Sequence, residues 1–314
     1  MDEKNVTFIT AIHLLGFRTP QCILFLIFFI FLVVYCMIIC GNCLIIVLVL
    51  YSKTLHSPMY FFLSQLSLSD ILLATDILPN FLHVILVDGT SIPFFYCIVQ
   101  FYFFGVAGTL QCFILTVMSY DRYLAICKPL HYTSIINHQV CCIIVVICWA
   151  LSALVILVHT LYILTLTFCG PNIIDHFFCD LDPLLELSCT DTTTVQLEAK
   201  LLSTIFIFIP FCAITVSYVY IILTIFEIPS ITGRQKAFST CSSHLSVVSM
   251  YYGTLVCVYL VPRNGKSWNI TKSLSLLYIV VTPLLNPVIY SLRNKDLKTS
   301  LRKLTNKYLH FQFR

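Results

Sequence analysis

The sequence predicts an all-α integral membrane protein: a seven-transmembrane helix bundle with a short amphipathic C-terminal helix. Three observations predict it. Of 314 residues, 59% are hydrophobic and only 10% charged, with a mean hydropathy of +0.94. That is more apolar surface than a soluble domain of this size needs. Second, a spanning helix takes about 20 apolar residues. Seven such stretches occur, near 23–50, 58–86, 97–124, 139–163, 197–226, 237–261 and 270–292. Residues 1–314 therefore read as one domain, with 1–22 before the first span and 293–314 after the last. Third, the basic residues are unequally shared between the two sides. Positions 53, 122, 128, 234, 236, 293, 295, 298, 302, 303, 307 and 314 hold twelve of the 18 Lys and Arg; 4, 18, 200, 263, 266 and 272 hold the other six. Basic loops stay in the cytoplasm, which puts the N-terminus outside and the C-terminus inside. The net charge of +4 is then an inner basic rim, with no sign of a nucleic-acid surface. The first apolar run is too long for a cleavable signal and lacks a basic flank, so it is expected to be an uncleaved anchor.

Asn5-Val6-Thr7 is an N-glycosylation sequon on the tail expected outside, and Asn5 is its acceptor. Asn269-Ile270-Thr271 also fits the triplet but lies at the mouth of the last span, too close to the membrane for glycan transfer. Gly41-Asn42 interrupts the first span, and an amide in hydrocarbon must find a partner on a neighbouring helix. Pro58 suits the first turn of the second helix, and Asp70 follows about three turns inside it. A carboxylate at that depth is costly unless paired or protonated, which makes it a functional candidate beside the plainer reading of a helix–helix hydrogen bond. In the third span Phe104, Gly105, Gly108, Thr109 and Cys112 share one helical face. Small residues there permit close helix packing or leave a cavity, and periodicity alone leaves both open. Asp121, Arg122 and Tyr123 close this span at headgroup depth, where Arg can snorkel. Pro129 ends the helix, because it lacks an N–H and biases its predecessor away from helical angles.

The loop from Thr165 to Leu197 holds Cys169, Cys179 and Cys189, and Cys97 opens the third span on the same side. Extracellular thiols tend to be oxidised, and four cysteines allow three pairings. The other twelve of the 16 cysteines are small apolar fillers; the paired CxxC spacing of a zinc site is absent, and neither a metal nor another cofactor is expected. Pro210 is tolerated in the fifth span because neighbours can satisfy the freed carbonyl; Ser217-Tyr218 lies near the end of that span. In the sixth, Tyr252, Leu255, Val256 and Tyr259 form a stripe that is either core or pocket wall. Asn286-Pro287 in the last span frees a carbonyl in mid-membrane and creates a kink, with Tyr290 three residues on, near the inner surface. Lys298, Arg302 and Lys303 then alternate with Leu297, Leu301 and Leu304 at helical spacing, an amphipathic helix whose partner is the lipid of the inner leaflet.

Several of these stretches together resemble the olfactory receptors, a family of rhodopsin-like G-protein-coupled receptors, in the land-vertebrate form. Met118 to Tyr132 reads MSYDRYLAICKPLHY, similar to the family's MAYDRYVAICKPLHY with Ser119 for Ala and Leu124 for Val. LHSPMYFFLSQLSLSD (55–70), with Ser57 as in the land-vertebrate class, resembles LHxPMYFFLSxLSxxD; RQKAFSTCSSHL (234–245) matches KAFSTCxSHL; PLLNPVIYSLRNK (283–295) matches PxLNPxIYSLRNK. HFFCD (176–180) and LSCTDT (187–192) fit the family's loop pattern, and Tyr251-Tyr252-Gly253-Thr254 its FYGT, with Tyr251 for Phe.

The resemblance implies an odorant held in the outer half of the bundle and a G protein at the inner face. Phe104, Gly105, Gly108, Thr109, Cys112, Leu202, Ser203, Phe206, Tyr252, Leu255, Val256 and Tyr259 are the expected ligand wall. Asp121, Arg122, Tyr123, Tyr218, Lys236, Asn286, Pro287 and Tyr290 are the expected coupling set, and Asn42, Asp70 and Gln111 a buried polar switch. It implies the pairings Cys97–Cys179 and Cys169–Cys189. It also implies a plasma-membrane receptor that engages the stimulatory olfactory G protein, raises cyclic AMP and is no enzyme. One departure stands at Gln111, where the family usually has Glu beside the carboxylate matching Asp70; the lost charge puts a sodium site in doubt. The third-span face carries no Asp or Glu, so the ligand is expected to be neutral and apolar, with Thr109, Ser203 and Tyr259 able to bond an oxygen and Arg263 at the solvent rim. A transporter would need inverted repeats and interrupted helices, and a membrane enzyme a Ser-His-Asp or HExxH cluster; neither pattern is present. A receptor of the same fold serving another tissue as a chemosensor fits the sequence equally well.

Overall fold

The computed structural model describes residues 9–17, 20–169, 171–260, 268–293 and 295–312. Asn5 and Arg263 lie outside the described residues, as do the side chains of Lys236 and Tyr259. Seven long helices run as α1 Gln21–Tyr51, α2 Pro58–Val87, α3 Phe94–Cys127, α4 His138–Leu164, α5 Thr193–Glu227, α6 Ile231–Leu260 and α7 Trp268–Arg293. An amphipathic α8, Lys295–Gln312, follows. The helices overrun the apolar stretches by a few residues, because a helix continues past the hydrocarbon until its sequence stops it. Pro58 starts α2, Asn137 caps α4 by accepting from the Val140 N–H at 2.9 Å, and α3 stops at Cys127, ahead of Pro129.

Among the described residues, six of these helices are long and apolar enough to cross a membrane. α6 has 30 residues, about 45 Å at 1.5 Å per residue. Its first half carries the polar string from Arg234 to His244, so only its second half reads as hydrocarbon-facing. Within α5 the helix widens into a π-turn over Thr204–Phe208, just ahead of Pro210. A proline in a helix cannot donate to the turn before it, and a π-turn is one way to absorb that.

α3 is the central post, packing on α2, α4, α5 and α6, while α1 packs on α2 and α7. One cluster built on the buried faces of these helices forms the core. At one end the bundle carries a feature that helical periodicity cannot forecast, a three-stranded sheet. β1 (Ala11–Leu14) lies between β2 (Thr90–Pro93) and β3 (Ile173–Ile174). It is antiparallel to β2, with Ala11 opposite Pro93, and parallel to β3, with His13 opposite Ile173. The N-terminal segment and two inter-helix loops thus cover this sheet end with a second apolar cluster. Gly16 turns the chain out of β1 with φ of +62°, and a Cβ there would stand 2.6 Å from Val84 Cγ1.

Candidate functional site

A polar knot lies deep in the bundle. Asp70 is fully buried and accepts two bonds of 2.8 Å, from Gln111 Nε2 on α3 and Asn286 Nδ2 on α7. α2, α3 and α7 are therefore tied at one carboxylate. Gln111 supplies Asp70 with an amide donor where a second carboxylate would need a proton or a cation. Beside the knot, Asn42 Nδ2 donates at 3.0 Å to the Pro283 carbonyl. That carbonyl lies four residues before Pro287, which has no N–H to offer it. The approach is allowed by Gly41, where a Cβ would stand 3.0 Å from Pro287 Cγ. Gly41, Asn42 and Pro287 are thus one device: the glycine lets α1 close in, and the amide satisfies what the proline leaves open.

At the end opposite the sheet, Arg122 is held by the Asp121 carboxylate through both Nε and Nη2. Tyr132, in the helical turn Tyr132–Ile135 after α3, donates to the other Asp121 oxygen at 2.7 Å. Partial burial, and then the Asp121 carboxylate, push the Tyr132 phenol well above its ordinary value, so it stays a donor at physiological pH. Tyr218 on α5 pairs with His244 Nδ1 on α6 at 2.6 Å, both buried. Tyr123 stacks on Tyr120 and meets Tyr220 of α5, with Lys128 Nζ 5.9 Å from its ring. Tyr290 is fully buried, and its hydroxyl finds no partner among the described residues. Tyr132 and His244 were not singled out from sequence. Tyr132 is the last residue of the KPLHY string and His244 sits in CSSHL, so the signal was in the motifs, but which partners they meet is a matter of packing.

In the half nearer the sheet, Phe104 packs against Phe178 of the loop and Tyr278 of α7, with centroids 5.2 and 6.1 Å away. Thr109 is half-buried and Cys112 buried. Gly105 departs from the expected cavity face: a Cβ there would meet Ile156 of α4 at 2.8 Å, so this glycine serves helix packing. At Gly108 a Cβ would be 3.0 Å from the Tyr278 hydroxyl. The α6 stripe is turned relative to expectation. Tyr252 and Leu255 are buried, but Val256 is 51% exposed. The buried side is centred on His244, Val248, Tyr251 and Leu255, spaced i, i+4, i+7 and i+11. Tyr251 is therefore the inward tyrosine. Its hydroxyl donates to the Gly108 carbonyl at 2.8 Å and lies 3.1 Å from Cys112 Sγ. On α5, Ser203 is exposed while Leu202 and Phe206 are half-buried; Phe206 meets Phe113 at 5.9 Å.

The loop is held over this half by two disulfides, Cys97–Cys179 and Cys169–Cys189, with Cα separations of 5.5 and 5.8 Å. Gln100 braces the first, accepting from the Cys179 N–H at 3.1 Å and donating to the Asp76 carbonyl at 3.0 Å. The second closes a short antiparallel contact of Phe168 with Ser188. Two further polar contacts escaped the sequence reading. Lys272 of α7 is 1% exposed and donates to the Gly16 carbonyl at 2.7 Å and the Asp175 carboxylate at 2.6 Å. His159 of α4 bonds Glu198 of α5. Each is a polar residue in or beside an apolar run, which is a visible signal, but its partner is distant in the chain.

A bundle of seven helices around α3, a carboxylate knotted to α3 and α7, and an Asp-Arg pair closing α3 define a receptor of the rhodopsin-like seven-helix class. The crystal structure of squid rhodopsin shares this fold, with a TM-score of 0.75 over 93% of this chain and 88% of that one, at only 15% identity. The sequence pattern described as "Olfactory receptor" matches residues 31–307. Olfactory receptor 1E16 of Mus musculus is 44% identical over 97% of both chains. Olfactory receptor 1496 of Rattus norvegicus is 47% identical over 95% of this chain and 96% of its own. The chain belongs to the olfactory receptor family. It is a multi-pass membrane receptor and not an enzyme.

Proposed function

We propose that the receptor binds a small, neutral, apolar odorant in the half of the bundle nearer the sheet and activates a stimulatory, olfactory-type G protein at the Arg122 end, raising cyclic AMP. The basic rim supports an orientation with the sheet outside and the Arg122 end in the cytoplasm, as in a plasma-membrane receptor. One observation carries the reading. Tyr251, which bonds the Gly108 carbonyl and touches Cys112, stands at the floor of an uncharged wall of Phe104, Thr109, Leu255 and Tyr278. Cys112 adjoins Gln111, whose amide bonds Asp70. A ligand that shifts Tyr251 or Cys112 therefore acts one residue from the knot joining α2, α3 and α7. A ligand that binds the open arrangement better than the closed one moves the equilibrium by its differential affinity alone. Apolar burial against such a wall is favourable by about 25 cal/mol per Å², and nothing in the wall offers an amine its counter-ion.

The test is a matched series of alcohol, ester, amine and acid on one carbon skeleton, scored by cyclic AMP in transfected cells. The alcohol and ester are expected to be the agonists. A clear preference for the amine would overturn the assignment of the wall, and a preference for the acid that vanishes in Arg263→Ala would move selectivity to the rim.

A further inference from the structure

Two hollows meet at the Arg122 end of the bundle, away from the ligand wall. The first, about 300 Å³, lies between α1, α7 and α8. It is apolar, with Gly41, Leu44, Pro287 and Leu301 among its walls. The second, about 400 Å³, runs along α8 past Thr299, Arg302 and Asn306. Lys298 and Leu301 line both, so an apolar chamber opens directly into a cationic trough. Lys298 and Arg302 are one helical turn apart on the same side of α8 and both are exposed. Among the described residues no carboxylate lines either hollow; the nearby Asp296 accepts from Tyr60 on α2 at 3.1 Å. α8 is itself fixed in place, because Ser300 bonds Ser52 at 2.8 Å and Leu297 is buried.

We propose that this composite groove binds one anionic glycerophospholipid, its acyl chain in the chamber against Gly41 and Pro287 and its phosphate at Lys298 and Arg302. The shape is that of an amphiphile and the charge is complementary to a headgroup phosphate. A sterol would fill the chamber and leave the two cations unused. A zwitterionic lipid would bring its own cation to them. The position matters because the chamber wall is the Gly41–Pro287 contact, which lets Asn42 reach the carbonyl freed in α7. A lipid seated there bears on the same joint.

The experiment uses the full receptor in vesicles of neutral lipid doped with either phosphatidylserine or phosphatidylcholine carrying a photoactivatable group on the same acyl chain. Labelled peptides are mapped by mass spectrometry. Phosphatidylserine is expected to label 37–48 and 284–288 several-fold more than phosphatidylcholine does. That excess should disappear in the double variant Lys298→Gln/Arg302→Gln, leaving phosphatidylcholine labelling unchanged, and should shrink in the unaltered receptor as salt is raised. Leu44→Trp, which fills the chamber from an already exposed position, should lower labelling there by both probes. Equal labelling by the two lipids would overturn the proposal, and so would an excess that survives the double variant. Absence of both lipid labels from 37–48, together with α1-to-α1 crosslinks when a bifunctional crosslinker is added to the same vesicles, would overturn it by showing that a second copy covers the groove.

Discussion

Arg122 is held by the carboxylate of the residue before it, and that carboxylate is held in turn by Tyr132 from the following loop. The two partners have different roles. On the proposed reading Arg122 exchanges Asp121 for the G protein on opening, so Arg122→Ala should abolish the cyclic AMP response while the receptor still reaches the surface. On the same reading Tyr132 fastens the closed arrangement through its bond to Asp121. Hydrogen bonds to charged groups contribute about 1.5–3 kcal/mol, so Tyr132→Phe should raise ligand-free cyclic AMP several-fold and keep agonist response. Unchanged basal signalling in Tyr132→Phe at matched surface expression would remove the tyrosine from the lock. Gln111 permits a second test at the same scale. Replacing its amide by a carboxylate sets two anions where one donor now bonds Asp70 at 2.8 Å, an arrangement that needs a proton or a cation between them. Gln111→Glu should therefore make agonist potency depend on sodium, with little such dependence in the unaltered receptor; potency curves with sodium replaced by a bulky organic cation decide it.

Between helices, the glycines act by where they let another element come. Gly105 admits Ile156 of α4, and Gly41 admits the Pro287 ring of α7. A β-branched side chain at position 41 would enter a space in which even a Cβ lies only 3.0 and 3.2 Å from the ring carbons. α1 would have to move away, and Asn42 would lose the Pro283 carbonyl. An unsatisfied buried polar group costs about 1–3 kcal/mol, and overpacking typically adds about the same. Gly41→Val should thus fall sharply in surface expression, whereas Gly253→Ala, at a glycine with nothing within 4 Å of its Cβ position, should be tolerated. Equal surface staining of the two variants would mean that the α1–α7 contact is not close.

Across the whole molecule, the sheet end is assembled from distant parts of the chain. The N-terminal strand, two loops, the Cys97–Cys179 bridge and Lys272 meet there. The bridge and the lysine should fail in different ways. A disulfide contributes about 2–4 kcal/mol, largely through the unfolded chain, so Cys179→Ser should be retained inside the cell. Lys272 instead joins Gly16 to Asp175 within the folded receptor. Lys272→Met should reach the surface and show faster hydrogen exchange at Ala11–Leu14 and Ile173–Ile174, with protection around Asp70 unchanged. Slow exchange of both strands in that variant would assign the cap's stability to the sheet alone.

The sequence alone determined the class of this protein, its seven crossings, the family and the polar residues buried in apolar runs. The reason is that hydrocarbon requires about 20 apolar residues per crossing and makes every buried polar group conspicuous. It also marked Asn42 and Asp70 as needing partners. Only the tertiary structure decided which partners they have. Asn42 answers a carbonyl 241 positions away, and no local pattern encodes that pairing. On α6, Tyr251 joins the expected Tyr252 and Leu255 on the buried side while Val256 is exposed, for a related reason. A helix offers neighbouring faces 100° apart, and the membrane buries apolar residues on all of them, so periodicity could not choose Tyr251 over Val256. The same ambiguity let Gly105 read as cavity wall when it is a seat for Ile156. The strands over the sheet end had no periodic signal, because four residues or fewer from three distant segments become a sheet only once the helices have brought them side by side.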